Sequence, residues 1–176
     1  RRQRQMCIRD RVLYTEQEIE DKVKELAAKI DEDYKGKAIH LICVLKGGAM
    51  FMCDLAKRLK NPLVTMDFMA VSSYGNSTES SGVVRIVKDL DEPLEGKHVL
   101  LVEDIVDTGR TLSHLTKLLQ ERNPASLKIC TLLDKPERRE CEVEVQYTGF
   151  QIPDIFIVGY GIDYQQTVSY THLTLP

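Results

Sequence analysis

No apolar run in this sequence approaches the ~18 residues that a membrane span needs, and no apolar stretch of a secretory signal follows the basic start RRQRQMCIRDR. A soluble, cytoplasmic protein without a membrane partner is expected. The five cysteines, Cys7, Cys43, Cys53, Cys130 and Cys141, form no CxxC pair, and an odd number argues against a disulfide framework. Three of them sit in apolar runs, where a reduced thiol behaves as a small hydrophobe. There is no basic surplus: the net charge of -3 removes the electrostatic case for a nucleic-acid partner. Phosphate signatures of other classes are missing as well. No GxxxxGK[ST] occurs, and Gly159 and Gly161 lack the third glycine and the position of a dinucleotide loop. Neither an internal repeat nor a linker is visible, and 176 residues with 43% hydrophobic content suit one domain with a full core.

What is present alternates in period. Ile19, Val23, Leu26, Ala27 and Ile30 recur at helical spacing, and IHLICVL (39–45) is a continuous β-rich run of the kind buried on both faces. KGG (46–48) breaks that run. Met52, Leu55, Ala56 and Leu59 then restore a helical stripe, ended by Asn61 and Pro62. Further strands are predicted at 63–71, 83–87, 98–102, 127–133, 143–147 and 154–161, and a helix at 112–119. The polar stretch SSYGNSTESSG (72–82) has no period and reads as a mobile loop. Helices alternating with apolar strands predict an α/β fold, a mainly parallel twisted sheet flanked by helices.

The chemistry concentrates in VLLVEDIVDTGRTL (99–112). In an open α/β sheet ligands collect beyond the carboxyl ends of the strands, so residues following an apolar strand face a binding crevice. A helix starting near Thr108 to Thr111 offers unpaired N–H groups and a positive dipole end to a phosphate, and Gly109 lets the backbone come close. Glu103 and Asp104 would repel that phosphate but suit sugar hydroxyls or Mg²⁺. A phosphorylated sugar satisfies both halves. In the simpler alternative, Asp107 and Thr108 are helix caps and the acid pair is solvated; two adjacent acids directly after a core strand count against it.

VEDIVDTGRT resembles the phosphoribosyl-pyrophosphate motif of type I phosphoribosyltransferases. VLKGG, MDFMAVSSYGNST, LLDKPERR and IPDIFIVGYGIDY extend the likeness to the bacterial hypoxanthine-guanine type. The domain so delimited is 12–166. The resemblance implies the type I fold with a mobile active-site loop and transfer of a 5-phosphoribosyl group to hypoxanthine or guanine, in a homodimer or homotetramer. Glu103 and Asp104 would hold the ribose hydroxyls, and Thr108, Gly109, Arg110 and Thr111 the 5′-phosphate. Asp107 would be catalytic, facing the purine N7. Lys46 and Gly47 would meet pyrophosphate in a loop that often carries a non-proline cis peptide. Lys135 would donate to the 6-oxo group, Phe156 would stack on the ring and Ile157 would offer backbone contacts. Asp163 would join the purine pocket and, with Glu103 and Asp104, the Mg²⁺ site. Ser73 and Tyr74 would belong to the closing loop.

Taken singly, Lys135 reads as a solvated charge, Phe156 as core, and Asp163 as a turn residue; order and spacing around the acid motif raise them to site candidates. The rest of KPERRE (135–140) is most simply an exposed turn, and His40, His98, His114 and His172 receive no role. Two other readings are a non-catalytic regulator on the same fold and a phosphoribosyltransferase for another base; Lys135 and Phe156 weigh against the first, the pocket from Lys135 to Asp163 against the second. Beyond Gln166 the family's arginine-bearing segment is replaced by TVSYTHLTLP, so 1–11 and 167–176 are expected to be non-native or disordered ends.

Overall fold

The computed structural model describes residues 11–73, 84–162 and 172–175. Its elements are β1 (Arg11–Tyr14), α1 (Glu16–Asp33), β2 (Ile39–Leu45), α2 (Ala49–Arg58), β3 (Val64–Ser73), β4 (Val84–Lys88), β5 (His98–Val106), α3 (Arg110–Gln120), β6 (Ser126–Asp134), β7 (Tyr147–Gln151) and β8 (Leu173–Leu175), with a 3-10 turn at Pro136–Arg138. Six strands form one sheet in the order β4-β3-β2-β5-β6-β7. β3, β2, β5, β6 and β7 run parallel, and only the edge strand β4 is antiparallel. The fold is α/β of the expected class.

Local chemistry explains the helices. A capping box starts α1: the Glu18 N–H donates to Thr15 Oγ1 (3.2 Å) and the Thr15 N–H to Glu18 Oε2 (2.7 Å). The stripe Ile19, Val23, Leu26, Ala27 and Ile30 is then buried, together with Phe51, Met52 and Leu55 of α2, against one face of the sheet. Leu112, Leu115 and Leu119 of α3 close the other face over Val99, Leu101 and Ile129. Burying such side chains contributes ~1.5–3 kcal/mol each, before the entropy of ordering them.

Three expectations need correction. The strand predicted at 98–102 runs on to Val106, because the parallel ladder with β6 continues through Glu103↔Thr131, Ile105↔Leu133 and Val106↔Asp134. The strand predicted at 143–147 is displaced to Tyr147–Gln151; Val143 and Val145 pack against the α3 layer, and Tyr147 is the residue that pairs with β6 and donates to Asp33 Oδ2 (2.6 Å). No strand forms over 154–161. Gly159, Tyr160 and Gly161 have φ of 105°, 50° and 91°, the left-handed region, which ends extended structure. Outside the predicted domain limits, Leu173–Leu175 pairs antiparallel with Arg11–Tyr14, and Val158 bridges Thr174.

Candidate active site

The site grows from the carboxyl ends of β2, β5 and β6. Glu103 and Asp104 are consecutive in an extended strand, so their side chains diverge. Glu103 faces a cavity of about 240 Å³ that it shares with Val44, Thr108, Gly109, Thr111 and Leu112. Asp104 faces the other way, onto Gly47: a Cβ there would stand 1.9 Å from Asp104 Oδ2. The Leu45–Lys46 peptide before it is cis. Gly161 closes this corner, since a Cβ on it would lie 2.7 Å from the Gly47 carbonyl oxygen. Burial, and after it the charge of Asp104, pushes the Glu103 carboxyl well above the usual carboxylate range. The same surroundings push the buried Cys43 thiol up to about 12, burial first and the two carboxylates after it. Cys43 is therefore no nucleophile.

α3 begins at Arg110, inside the predicted window, with Gly109 as its N-cap at φ 79° and no side-chain cap. The first-turn N–H groups therefore keep bonding capacity beside the cavity, the Arg110 N–H making a 3.4 Å bond to Thr108 Oγ1. Glycine is favoured at 109 because φ is 79° and a Cβ would crowd Arg139 Cδ and the Cys141 carbonyl oxygen, both at 3.0 Å.

On the other side of Asp107, the Lys135 N–H donates to the Val106 carbonyl (2.9 Å), carrying the β5–β6 ladder past the strand ends. Lys135 is 6% exposed, not a solvated charge, and its Nζ lies 3.8 Å from Asp154 Oδ1. Phe156 is 56% exposed and so is not core, whereas Ile157 is buried. Arg138 Nε lies 3.0 Å from Asp107 Oδ1, an ion pair without hydrogen-bond geometry.

Most of the predicted residues thus meet at one end of the sheet. Tyr74 and Asp163, and nearly all of the expected loop 72–82, lie outside the described residues, and of Ser73 only the backbone at the end of β3 is described. Among the described residues no three His, Cys, Asp or Glu side chains gather as a metal site. Nor is any described helix long and apolar enough to cross a membrane. A larger cavity, about 550 Å³, opens at the opposite end of the sheet between α1 and α2, walled by both signs of charge and by none of the predicted residues.

The turn after β6 corrects the reading of KPERRE as merely exposed. Arg139 donates from Nε to the Asp107 carbonyl (3.3 Å) and from Nη1 to the Val143 carbonyl (3.4 Å), and its Nη2 pairs with Asp134. The N–H groups of Glu140 (2.9 Å) and Cys141 (3.1 Å) both reach the Thr108 carbonyl. Arg110 Nε pairs with Glu140 Oε2 at 2.5 Å. Sequence reasoning missed Arg139, Glu140 and Cys141 because a charge run carries no sign of which backbone it will meet.

Comparison with known proteins matches this architecture. A family model described as "Phosphoribosyl transferase domain" covers residues 12–165. The hypoxanthine-guanine phosphoribosyltransferase of Staphylococcus aureus (strain Mu50 / ATCC 700699) is 52% identical over 155 residues, 88% of this chain and 86% of that one. The enzyme of the same name from Bacillus subtilis (strain 168) is 50% identical over 157 residues, 89% of this chain and 87% of its own. A crystal structure of a hypoxanthine phosphoribosyltransferase from Staphylococcus aureus superposes with a TM-score of 0.91 at 48% identity, covering 94% of this chain and 90% of that one. The chain belongs to the phosphoribosyltransferase family and, within it, to the hypoxanthine-guanine phosphoribosyltransferases.

Proposed function

We propose that this chain transfers the 5-phosphoribosyl group of phosphoribosyl pyrophosphate to hypoxanthine or guanine, releasing pyrophosphate and giving IMP or GMP. The observation that carries this reading is the junction of two half-sites at the ends of β5 and β6. The cavity at the start of α3 suits a phosphate; Asp107 on its lining and Lys135, bonded through its N–H to the neighbouring Val106, supply an acceptor and a cation for a purine, and Phe156 offers an exposed ring.

In this reading the 5′-phosphate sits on Thr108, Gly109, Arg110 and Thr111, and Glu103 and Asp104 accept from the ribose hydroxyls. Gly47, packed on Asp104, brings Lys46 to the pyrophosphate end. As the C1′–pyrophosphate bond breaks, the sugar gains oxocarbenium-like positive charge, which the neighbouring carboxylates favour. Asp107 takes or shares the N7 proton, leaving electron density on the attacking purine nitrogen. Lys135 donates to the 6-oxo group, Phe156 stacks on the ring, and Ile157 contacts it through its backbone. Mg²⁺ fits the donor set of hard carboxylate oxygens, since this ion is commonly held by one or two carboxylates together with substrate phosphates rather than by a full protein cage. Of the three expected carboxylates, Asp104, which faces the Gly47 turn, and Asp163 would hold it, Glu103 pointing to the other side of β5, and it would neutralise charge on the departing pyrophosphate. The family resemblance extends the reading to a cytoplasmic homodimer or homotetramer, which light scattering measures.

The test is a spectrophotometric assay of the purified chain with phosphoribosyl pyrophosphate, Mg²⁺ and each base, run beside Asp107→Asn. IMP and GMP should form with the parent chain, and the variant should bind substrates but turn over roughly 10² to 10⁴ more slowly. No nucleotide from either base would refute the substrate assignment; a fully active variant would refute the role of Asp107.

A further inference from the structure

We propose that Arg139 is a positioning residue that aims the phosphate-binding backbone from behind without touching substrate. The inference rests on the reading above that the 5′-phosphate sits at Thr108 to Thr111. A peptide unit is planar and trans, so its C=O and N–H point in opposite directions. The Asp107 carbonyl is taken by Arg139 Nε and the Thr108 carbonyl by the N–H groups of Glu140 and Cys141. Both carbonyls thus face the turn after β6. The N–H groups of the same two peptide units, those of Thr108 and Gly109, are consequently turned away from it, and none of residues 139–143 lines the cavity that Thr108 and Gly109 border.

Arg139 can fasten this arrangement because a guanidinium is a rigid planar fork of donors. Its Nε serves Asp107, Nη1 serves Val143, and Nη2 is anchored to the carboxylate of Asp134, the last residue of β6. Its stem also packs on Gly109, with Cδ 3.0 Å from the place a Cβ would occupy. The side chain is 18% exposed, so this is a packed clasp and not a surface ion pair. A lysine there would bring one point charge to a place shaped for three directed donors.

Steady-state kinetics of Arg139→Met and Arg139→Lys test this, with melting curves alongside. Both variants should raise KM for phosphoribosyl pyrophosphate and lower kcat, each by about tenfold or more, as displacement of a binding group by ~1 Å does. KM for hypoxanthine should stay within about threefold, because Lys135 is held separately by its own N–H to Val106. Added ethylguanidinium should restore part of the turnover of a third variant, Arg139→Ala, and none of that of Asp107→Asn. Unchanged kinetic constants with only a lower melting temperature would overturn the proposal, as would full activity in Arg139→Lys. If the Arg139 variants do not fold, Asp134→Asn decides: the same split in smaller measure supports the clasp, and parental kinetics overturns it. Parental activity on phosphoribosyl pyrophosphate and a purine is measured first, so failure of the substrate reading is seen independently of Arg139.

Discussion

A methyl group at Gly47 would take the place of the Asp104 carboxylate, standing 1.9 Å from its Oδ2 and 2.8 Å from its Cγ. Either the carboxylate or the 46–48 turn must move, and both belong to the proposed sugar-pyrophosphate end. Gly47→Ala is therefore expected to fold yet to lose about 10² in turnover, the scale on which a small misplacement acts. Parental turnover in that variant would show that the contact between Gly47 and Asp104 does not matter to the reaction. Contacts of this kind also mark the limit of reading residues from a chain. Lys46 and Gly47 enter as candidates by resemblance alone, and Glu103, Asp104 and Asp107 by their place after apolar residues. That Glu103 and Asp104 face opposite ways follows only once β5 is seen to run through both. Arg139 stayed hidden because two of its three partners, Asp107 and Val143, offer backbone carbonyls, which look alike in any sequence.

Among the elements, the turn 159–162 is anchored by specific hydrogen bonds. The Gly159 N–H bonds the Ile162 carbonyl (2.9 Å) and the Ile162 N–H bonds the Gly159 carbonyl (3.0 Å), closing a tight loop through three residues with positive φ. Tyr160, at its tip, donates to Asp54 Oδ2 of α2 at 2.6 Å. The bond ties the turn carrying Gly161 to the helix that follows Gly47. Tyr160→Phe removes a hydrogen bond to a charged group and should cost about 1.5 to 3 kcal/mol in denaturant unfolding. An unchanged midpoint would mean that packing alone seats the turn. Helices α1, α2 and α3 were legible because a buried face repeats every 3.6 residues whatever it packs against. The region 143–161 was not: Val143 and Val145 alternate like a strand, but β6 has one free edge and Tyr147–Gln151 occupies it.

For the whole molecule, the buried His40 and the partly buried Glu103 give opposite slopes of stability against pH. His40 is 3% exposed, with Nδ1 2.7 Å from Thr65 Oγ1; burial first, and Lys97 next, hold it below the usual imidazole value against the opposing pull of Asp67 and Glu92. The unfolded chain takes that proton near pH 6.5 and the folded chain only at lower pH. The stability from a neutral His40 is thus present above about 6.5 and lost as pH falls through the folded value. Glu103 has the reverse sign. Its folded pKa is raised, so its contribution is present below about 4.3 and lost as pH rises through the folded value. In metal-free buffer the melting temperature of Glu103→Gln should gain on the parent as pH rises from about 5 to 8, and that of His40→Asn should fall less than the parent's below about 6.5. Parallel curves would show that neither site is titrating.

The sequence by itself determined the α/β class, the three main helices, the strands of the sheet's centre and the motif on which the family resemblance rests. Each of these depends on residues adjacent in the chain or on a period along it. Tertiary structure alone decided that β5 continues through the acids, that Arg139 in the charge run bonds the Asp107 carbonyl, and that Leu173–Leu175 pairs with Arg11–Tyr14 across the length of the chain. Those outcomes depend on which backbone groups are left unpaired when the layers close. Nearly every buried N–H and carbonyl must find a partner, and that accounting is settled in space and not along the sequence.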